Sequence, residues 1–404
     1  MSDFEQRVER GKTATISEVE GDLLLDGSTV MPSGREVVVH GTLAVRSRSA
    51  VKGSLRAEEV RGEGDLLVEG NLEASDIRLE DGASLEVKGD LKADDVDVPN
   101  SVRVGGRTDV DDLRVGGTAV LTGDAKVDDV KVGGTLEAKA RLESDDVRVG
   151  GALQVRTLVC EDVKVGGSLR AETVEAEDVD VGGTVEVSGE VKIEDLTEGG
   201  TAVVGGGGVE DVRVGGELRS AGELAFEEIH VGGRLAIDSG KGEKISVGGI
   251  MEVARDLALG DELSVGGRAK IGGTVEADSI GVGGELEASK ALAVGKLEVG
   301  GGLSTSEGSR AGEIDVARRA RVRGPIVGKT VRIGEKAEAE DVYADSLWAE
   351  AGCSLRNVYV KNAEVGRECR ISGALQYVED IRLGRDVSLA SQPERVSTLP
   401  SPPV

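Results

Sequence analysis

Aromatic side chains are nearly missing: the 404 residues include two phenylalanines, one tryptophan and three tyrosines. A thick globular core draws much of its buried area from such residues. Their scarcity fits narrow units filled by valine, leucine and alanine instead. Cysteine is sparse and odd in number (Cys160, Cys353 and Cys369), which excludes a disulfide framework and favours a reducing, cytoplasmic compartment. The two histidines, His40 and His230, are isolated in the sequence. Proline is absent between Pro99 and Pro325, so no ladder donor is lost over that stretch. Positive charge is in deficit, with a formal net charge of -27, so no basic field is present to hold nucleic acid or an anionic membrane. No run approaches the roughly 18 apolar residues of a membrane span. The first ten residues lack the apolar core of a secretion signal.

Glycine is abundant, at 61 residues, and it is periodic. Between Val147 and Gly183 the chain reads Val-Arg-Val-Gly-Gly-Ala-Leu-Gln-Val, then Val-Lys-Val-Gly-Gly-Ser-Leu-Arg-Ala, then Val-Asp-Val-Gly-Gly. First glycines of such pairs recur at Gly116, Gly133, Gly150, Gly166, Gly182 and onward to Gly300, about 17 residues apart. Inside one unit, Val147 and Val149, Leu153 and Val155, then Leu158 and Cys160 alternate with polar residues, as strands with one buried face do. Corners fall at Gly150-Gly151, Arg156-Thr157 and Glu161-Asp162, the first of them read as a positive-φ turn. Three strands of about four residues and three corners fill about 17 residues, whereas helical repeats and propeller blades need units of about 33 to 50. The fold class is all-β: a three-sided parallel β-helix, or β-solenoid, of about 20 coils.

The chain divides accordingly. Residues 1–20 read as a polar N-terminal tail, 21–324 as regular β-helix, 325–390 as variant coils and 391–404 as a proline-rich disordered tail. Gly53-Ser-Leu-Arg-Ala, Gly70-Asn-Leu-Glu-Ala and Gly89-Asp-Leu-Lys-Ala read as the later motif with one glycine per corner. The short step from Gly105 to Gly116 marks an irregular coil.

Acidic pairs such as Asp111-Asp112, Asp128-Asp129 and Asp145-Asp146 recur at one corner and would stack as like charges. Arg114, Lys131 and Arg148 stand two residues beyond, so a solvated corner balanced by a basic ladder is expected rather than a metal site. Cys353 and Cys369, one coil apart, read as stacked apolar fillers. Polysaccharide lyases and hydrolases also use β-helices, but they need a carboxylate constellation in a groove, and here loop insertions and sugar-stacking aromatics are lacking. No catalytic residue, cofactor or metal ligand is assigned.

Four of the six aromatics fall between Tyr343 and Tyr377. Alternation turns Tyr343, Trp348 and Tyr359 outward, and with Tyr377 they form the candidate interface for a protein partner. Packing beneath the C-terminal tail is the other reading. Neither end carries a convincing capping helix, so unpaired coil edges favour end-to-end self-assembly. No Gly-Lys-Ser/Thr phosphate loop is present, so assembly should need no nucleotide.

The repeated Val-Lys-Val-Gly-Gly-Ser-Leu-Arg-Ala-Glu, the acidic corners and the tails read as disordered resemble the bactofilins, polymer-forming cytoskeletal β-helix proteins, across residues 37–390. The resemblance implies a right-handed β-helix that forms nucleotide-independent homopolymers and scaffolds. This chain is longer than a usual bactofilin domain and lacks an apolar membrane-targeting segment at its N-terminus, so membrane insertion is not expected. The alternative expectation is a monomeric or dimeric scaffold that docks a partner through its C-terminal aromatics.

Overall fold

The computed structural model describes residues 6–404. It comprises two units, Met1–Gly200 and Thr201–Val404, each a stack of parallel strands with about 17 residues between successive turns. About 23 turns are present in all. No described residue is helical.

In the first unit one coil is a single ribbon such as Ala152–Val165, interrupted only at the Gly-Gly corner. Six side chains per coil point inward: Leu153, Val155, Leu158, Cys160, Val163 and Val165, each at most 9% exposed. Every one stacks on its counterpart in the next coil, for example Leu153 on Leu169 and Val163 on Val179. Identical alternation in every coil fixes the register, because a slip by one residue would expose all six.

The Gly-Gly corners are not positive-φ turns. None of the repeat glycines from Gly116 to Gly300 has that conformation. Glycine is required there for a steric reason. A Cβ on Gly150 would lie 2.2 Å from the Gly133 carbonyl oxygen, and one on Gly166 would lie 2.3 Å from that of Gly150. The second unit repeats the contact, at 2.2 Å between Gly300 and Gly283. Coils stacked at about 4.8 Å bring backbone against backbone at this corner, and only a residue without a side chain fits.

The earlier glycines mark a different corner. Leu55, Leu72 and Leu91 stack in register and continue through Thr108 and Ala125 to Leu142 and Leu158, the second face of the later coil. The Gly53, Gly70 and Gly89 motif is therefore displaced by one face from the Val-Gly-Gly motif. The short step from Gly105 to Gly116 follows: Gly106 abuts Gly89 at one corner, and Gly116 abuts Pro99 at another.

Residues 6–20 are not a tail. Gln6–Val8, Thr13–Thr15 and Glu18–Val19 pair with later strands and form the first coil, with Val8, Ile16 and Val19 buried. Inward alternation carried by three apolar residues is enough once a coil lies beside it. This coil accounts for part of the excess over about 20 turns.

In the second unit the corner changes type near its C-terminal end. Arg319, Lys336, Gly352, Glu368 and Asp386, one per coil, adopt φ between 59° and 72°. The next residue is inward in each case, and Ala320, Ala337, Cys353 and Cys369 form a buried ladder at 0–1% exposure. The two cysteines are stacked small fillers, as their spacing suggests. Burial pushes the Cys353 thiol up to about 12, with Cys369 adding to the shift, which makes it a poor nucleophile. Phe226, the one aromatic inward residue of the regular coils, is accommodated because Gly242 lies beside it. A Cβ on Gly242 would fall 2.3 Å from its ring.

These contacts predict that Gly150→Ala lowers stability by about 3 kcal/mol, because two backbones must separate. Gly208→Ala has no atom within 4 Å of its new Cβ and should change stability by less than about 1 kcal/mol. Thermal unfolding of both variants checks the contrast. Equal melting temperatures would contradict a corner held by close backbone contact.

Candidate assembly end and tyrosine groove

The terminal coil is incompletely closed. Ile381, Leu383 and Leu389 extend the inward ladders of Ala363, Val365 and Ile371. Those partners are 1–6% exposed, yet Leu383 is 40% exposed, and Ile381 and Leu389 are half-buried. Among the described residues only one of the three outer edges of this coil is covered. Glu394–Arg395 pairs with Gln376 and Tyr377, leaving the edges at Ile381–Leu383 and Ser388–Leu389 without a further strand.

The chain beyond Ala390 is thus ordered rather than disordered. Val396 donates its N–H to the Tyr377 carbonyl at 2.8 Å, and the Gln376 amide donates to Glu394 at 2.8 Å. Prolines stand at 393, 400, 402 and 403, so the amides of residues 394–396 remain free to pair. Farther on, Ser397–Pro402 lines an open groove of about 1150 Å³ along one outer face of the second unit. Val404 ends against Gly308 and Pro325. Pro393, Val396 and Leu399 are half-buried while their neighbours are exposed. A period of three is that of polyproline II, a conformation proline favours and that needs no internal hydrogen bonds.

The floor of this groove is an outward row: Leu292, Arg310, Val327, Tyr343 and Tyr359 follow one another in register. The Tyr343 and Tyr359 rings stack with centroids 4.8 Å apart and planes inclined by 26°. That separation equals the spacing of the strands bearing them, so the ladder itself imposes the stack. Burial raises the Tyr343 hydroxyl above its ordinary value, and the neighbouring Tyr359 and Asp341 add to it. The corner before the two tyrosines is pinned by polar groups. Arg356 Nε and the Asn357 amide both donate to Asp341 Oδ1, at 3.0 and 2.7 Å, and Asn357 in turn accepts the Ala374 N–H at 2.9 Å. The Arg356 bond holds the Asp341 carboxyl below its usual range against the opposing effect of burial.

The other two aromatics lie elsewhere. Trp348, 44% exposed, is on the next face, in register with Arg332, whose guanidinium is 6.0 Å from its ring centre. Tyr377 pairs with Val360, a buried position, while Gln376 takes the outward place in register with Tyr359. The four aromatics therefore form a stacked pair under the tail, a separate cation–π contact and a residue at the root of the tail, not one exposed cluster. Sequence alternation identified the pair; the same alternation, with Leu375 inward, puts Gln376 in their row and Tyr377 on the inward side. The tail's every-third pattern was the available signal for the groove.

In the first unit, Asp112, Asp129, Asp146, Asp162 and Asp178 stack in register beside Arg114, Lys131, Arg148 and Lys164. Arg114 bonds Asp112 at 2.9 Å and Arg148 bonds Asp146 at 2.8 Å, which offsets the repulsion along the acidic row. Sequence reading missed one grouping: Glu18, Glu20 and His40 come within 4.8 Å on the surface. His40 Nε2 meets Glu18 Oε1 at 2.9 Å, and that bond raises the imidazole above its usual range. Among the described residues, no helix is long and apolar enough to cross a membrane.

Asp341→Asn should lower stability at pH 7 by about 1 kcal/mol, given the exposure of its Arg356 partner. A carboxyl with a depressed folded pKa contributes fully above its unfolded value of about 3.9 and loses that contribution as pH falls through the folded value. The difference between wild type and variant should therefore begin to shrink near pH 4 and vanish only once the pH lies below the folded value. Melting temperatures of both proteins across pH 2–8 check this, and a difference that persists at pH 2 would count against it.

No family model, curated protein or solved structure matches the chain.

Proposed function

We propose that this protein is a non-enzymatic structural element of the cytoplasm, whose chains stack end-on into filaments without nucleotide and act as a cytoskeletal scaffold. The observation that carries the reading is the open C-terminal coil. Ile381, Leu383 and Leu389 continue buried ladders but have no coil above them, and two of the coil's three strand edges lack a partner among the described residues. A second solenoid end supplies what is missing: apolar cover for the ladder and donors and acceptors for the edges. Three free, buried cysteines suit a reducing compartment. The bactofilin-like repeat supports the same reading.

Charge opposes the association, since each chain carries a formal -27. Screening shortens the range of that repulsion to about 10 Å at 0.1 M salt, so polymer should increase with ionic strength. Sedimentation at low and moderate salt reads this directly.

Leu383→Glu combined with Leu389→Glu places charge on the open end and should abolish sedimenting polymer. The melting temperature should stay near that of the wild type, because neither side chain is enclosed. Unchanged sedimentation of the double variant would remove the open end from the assembly contact.

A further inference from the structure

The groove over Tyr343 and Tyr359 already has an occupant of defined chemistry, the extended proline-rich segment that ends the chain. The match is specific in kind. The row that carries the two tyrosines meets Ser397–Pro402, in which Leu399 is half-buried between exposed neighbours; Val396 and Pro393, half-buried three and six residues earlier, lie at the root of the segment. This is how polyproline II segments are recognised, and the preformed conformation keeps the ordering cost low.

The tail is also lightly held. Pro400, Ser401, Pro402 and Pro403 are exposed although they run along the groove. The groove is longer than the stretch lined by Ser397–Pro402. Val404 reaches Gly308, whereas the lining continues through Leu292 and Ala277 to Leu259, three coils farther along. Val294 in that stretch is 80% exposed.

The root of the tail creates a conflict with end-on stacking. Glu394–Arg395 covers the Gln376–Tyr377 edge of the terminal coil. A second copy that pairs with all three edges of this coil must expel that strand. The released tail then emerges at the junction. At about 3.1 Å per residue its last eight residues reach about 25 Å, five coils of about 4.8 Å. When the neighbour meets the junction with the same end, its own tyrosine groove lies within that reach.

We propose that the Tyr343–Tyr359 groove receives the C-terminal tail of a second copy, exchanged for the chain's own tail when two copies meet at their C-terminal ends. This rests on the end-on reading above. Tail exchange makes one local interaction serve two states: it closes the groove within a free chain and straps two chains together in the assembly.

The test uses full-length chains. One population carries Lys361→Cys, on the groove lining, and a second, distinguished by an affinity tag, carries Ser401→Cys on the tail. The two are mixed under assembly conditions and treated with a short bismaleimide; the three native thiols are buried. Covalent dimers containing one chain of each kind are expected. They should be lost when Tyr343→Ser and Tyr359→Ser are added to the Lys361→Cys chain, or Leu399→Ser to the Ser401→Cys chain. A chain carrying both cysteines reports the internal contact and shows that the reagent reaches the groove. Crosslinking in that chain with no mixed dimers, while polymer still sediments, would overturn tail exchange and leave end-on assembly standing. Mixed dimers formed without sedimenting polymer would support exchange while contradicting the filament reading. Mixed dimers unaffected by the tyrosine and leucine substitutions would assign the contact to another surface and overturn the proposal.

Discussion

Close approach of backbone to backbone at one corner is the constraint on which the coil geometry depends. The Gly133 carbonyl oxygen occupies the place a Cβ on Gly150 would need, and the same holds from Gly116 to Gly199 and again from Gly232 to Gly300. With that corner closed, the strands on either side are drawn into the regular ladder spacing. Six inward side chains per coil then stack on like neighbours. Hydrophobic burial supplies the driving force, but the glycine corner decides that neighbouring turns can share one register.

That constraint also explains why the charge pattern is tolerable. Stacking like coils necessarily stacks like charges, as the aspartate row from Asp112 to Asp178 shows. Placing Arg114 and Arg148 two residues from Asp112 and Asp146 sets the counter-charge on the same strand, within hydrogen-bond distance. Because the pattern is repeated, the compensation is repeated with it. Most of these pairs are exposed, so they offset repulsion more than they add stability.

Much of the architecture was legible because period and alternation are properties of sequence. Val147, Leu153, Leu158 and their repeats specified three faces and the inward set. What escaped depends on neighbours that no local pattern encodes. The steric role of Gly150 requires knowing which carbonyl lies above it. The displacement of the Gly70 motif by one face is invisible until Leu72 is seen against Leu91 and, coils later, Leu142. Residues 6–20 are too polar to announce a coil and become one through pairing with residues 23–47. At the candidate site, outward alternation found Tyr343 and Tyr359, while Tyr377, one residue past the outward Gln376, lies in register with the buried Val360. The proline-rich ending was read by composition as disordered; pairing of Glu394–Arg395 with Gln376 and Tyr377, and the seat of Ser397–Pro402 along the tyrosine groove, are what composition does not encode.

The proposed self-association depends on the open coil end, and images of the purified protein test that link most directly. Electron microscopy of the wild-type chain without nucleotide, at moderate salt, should show long unbranched filaments. Discrete particles of single chains that persist as protein concentration and salt are raised would contradict it, and would mean that the exposed Leu383 end is tolerated in water rather than built to be covered.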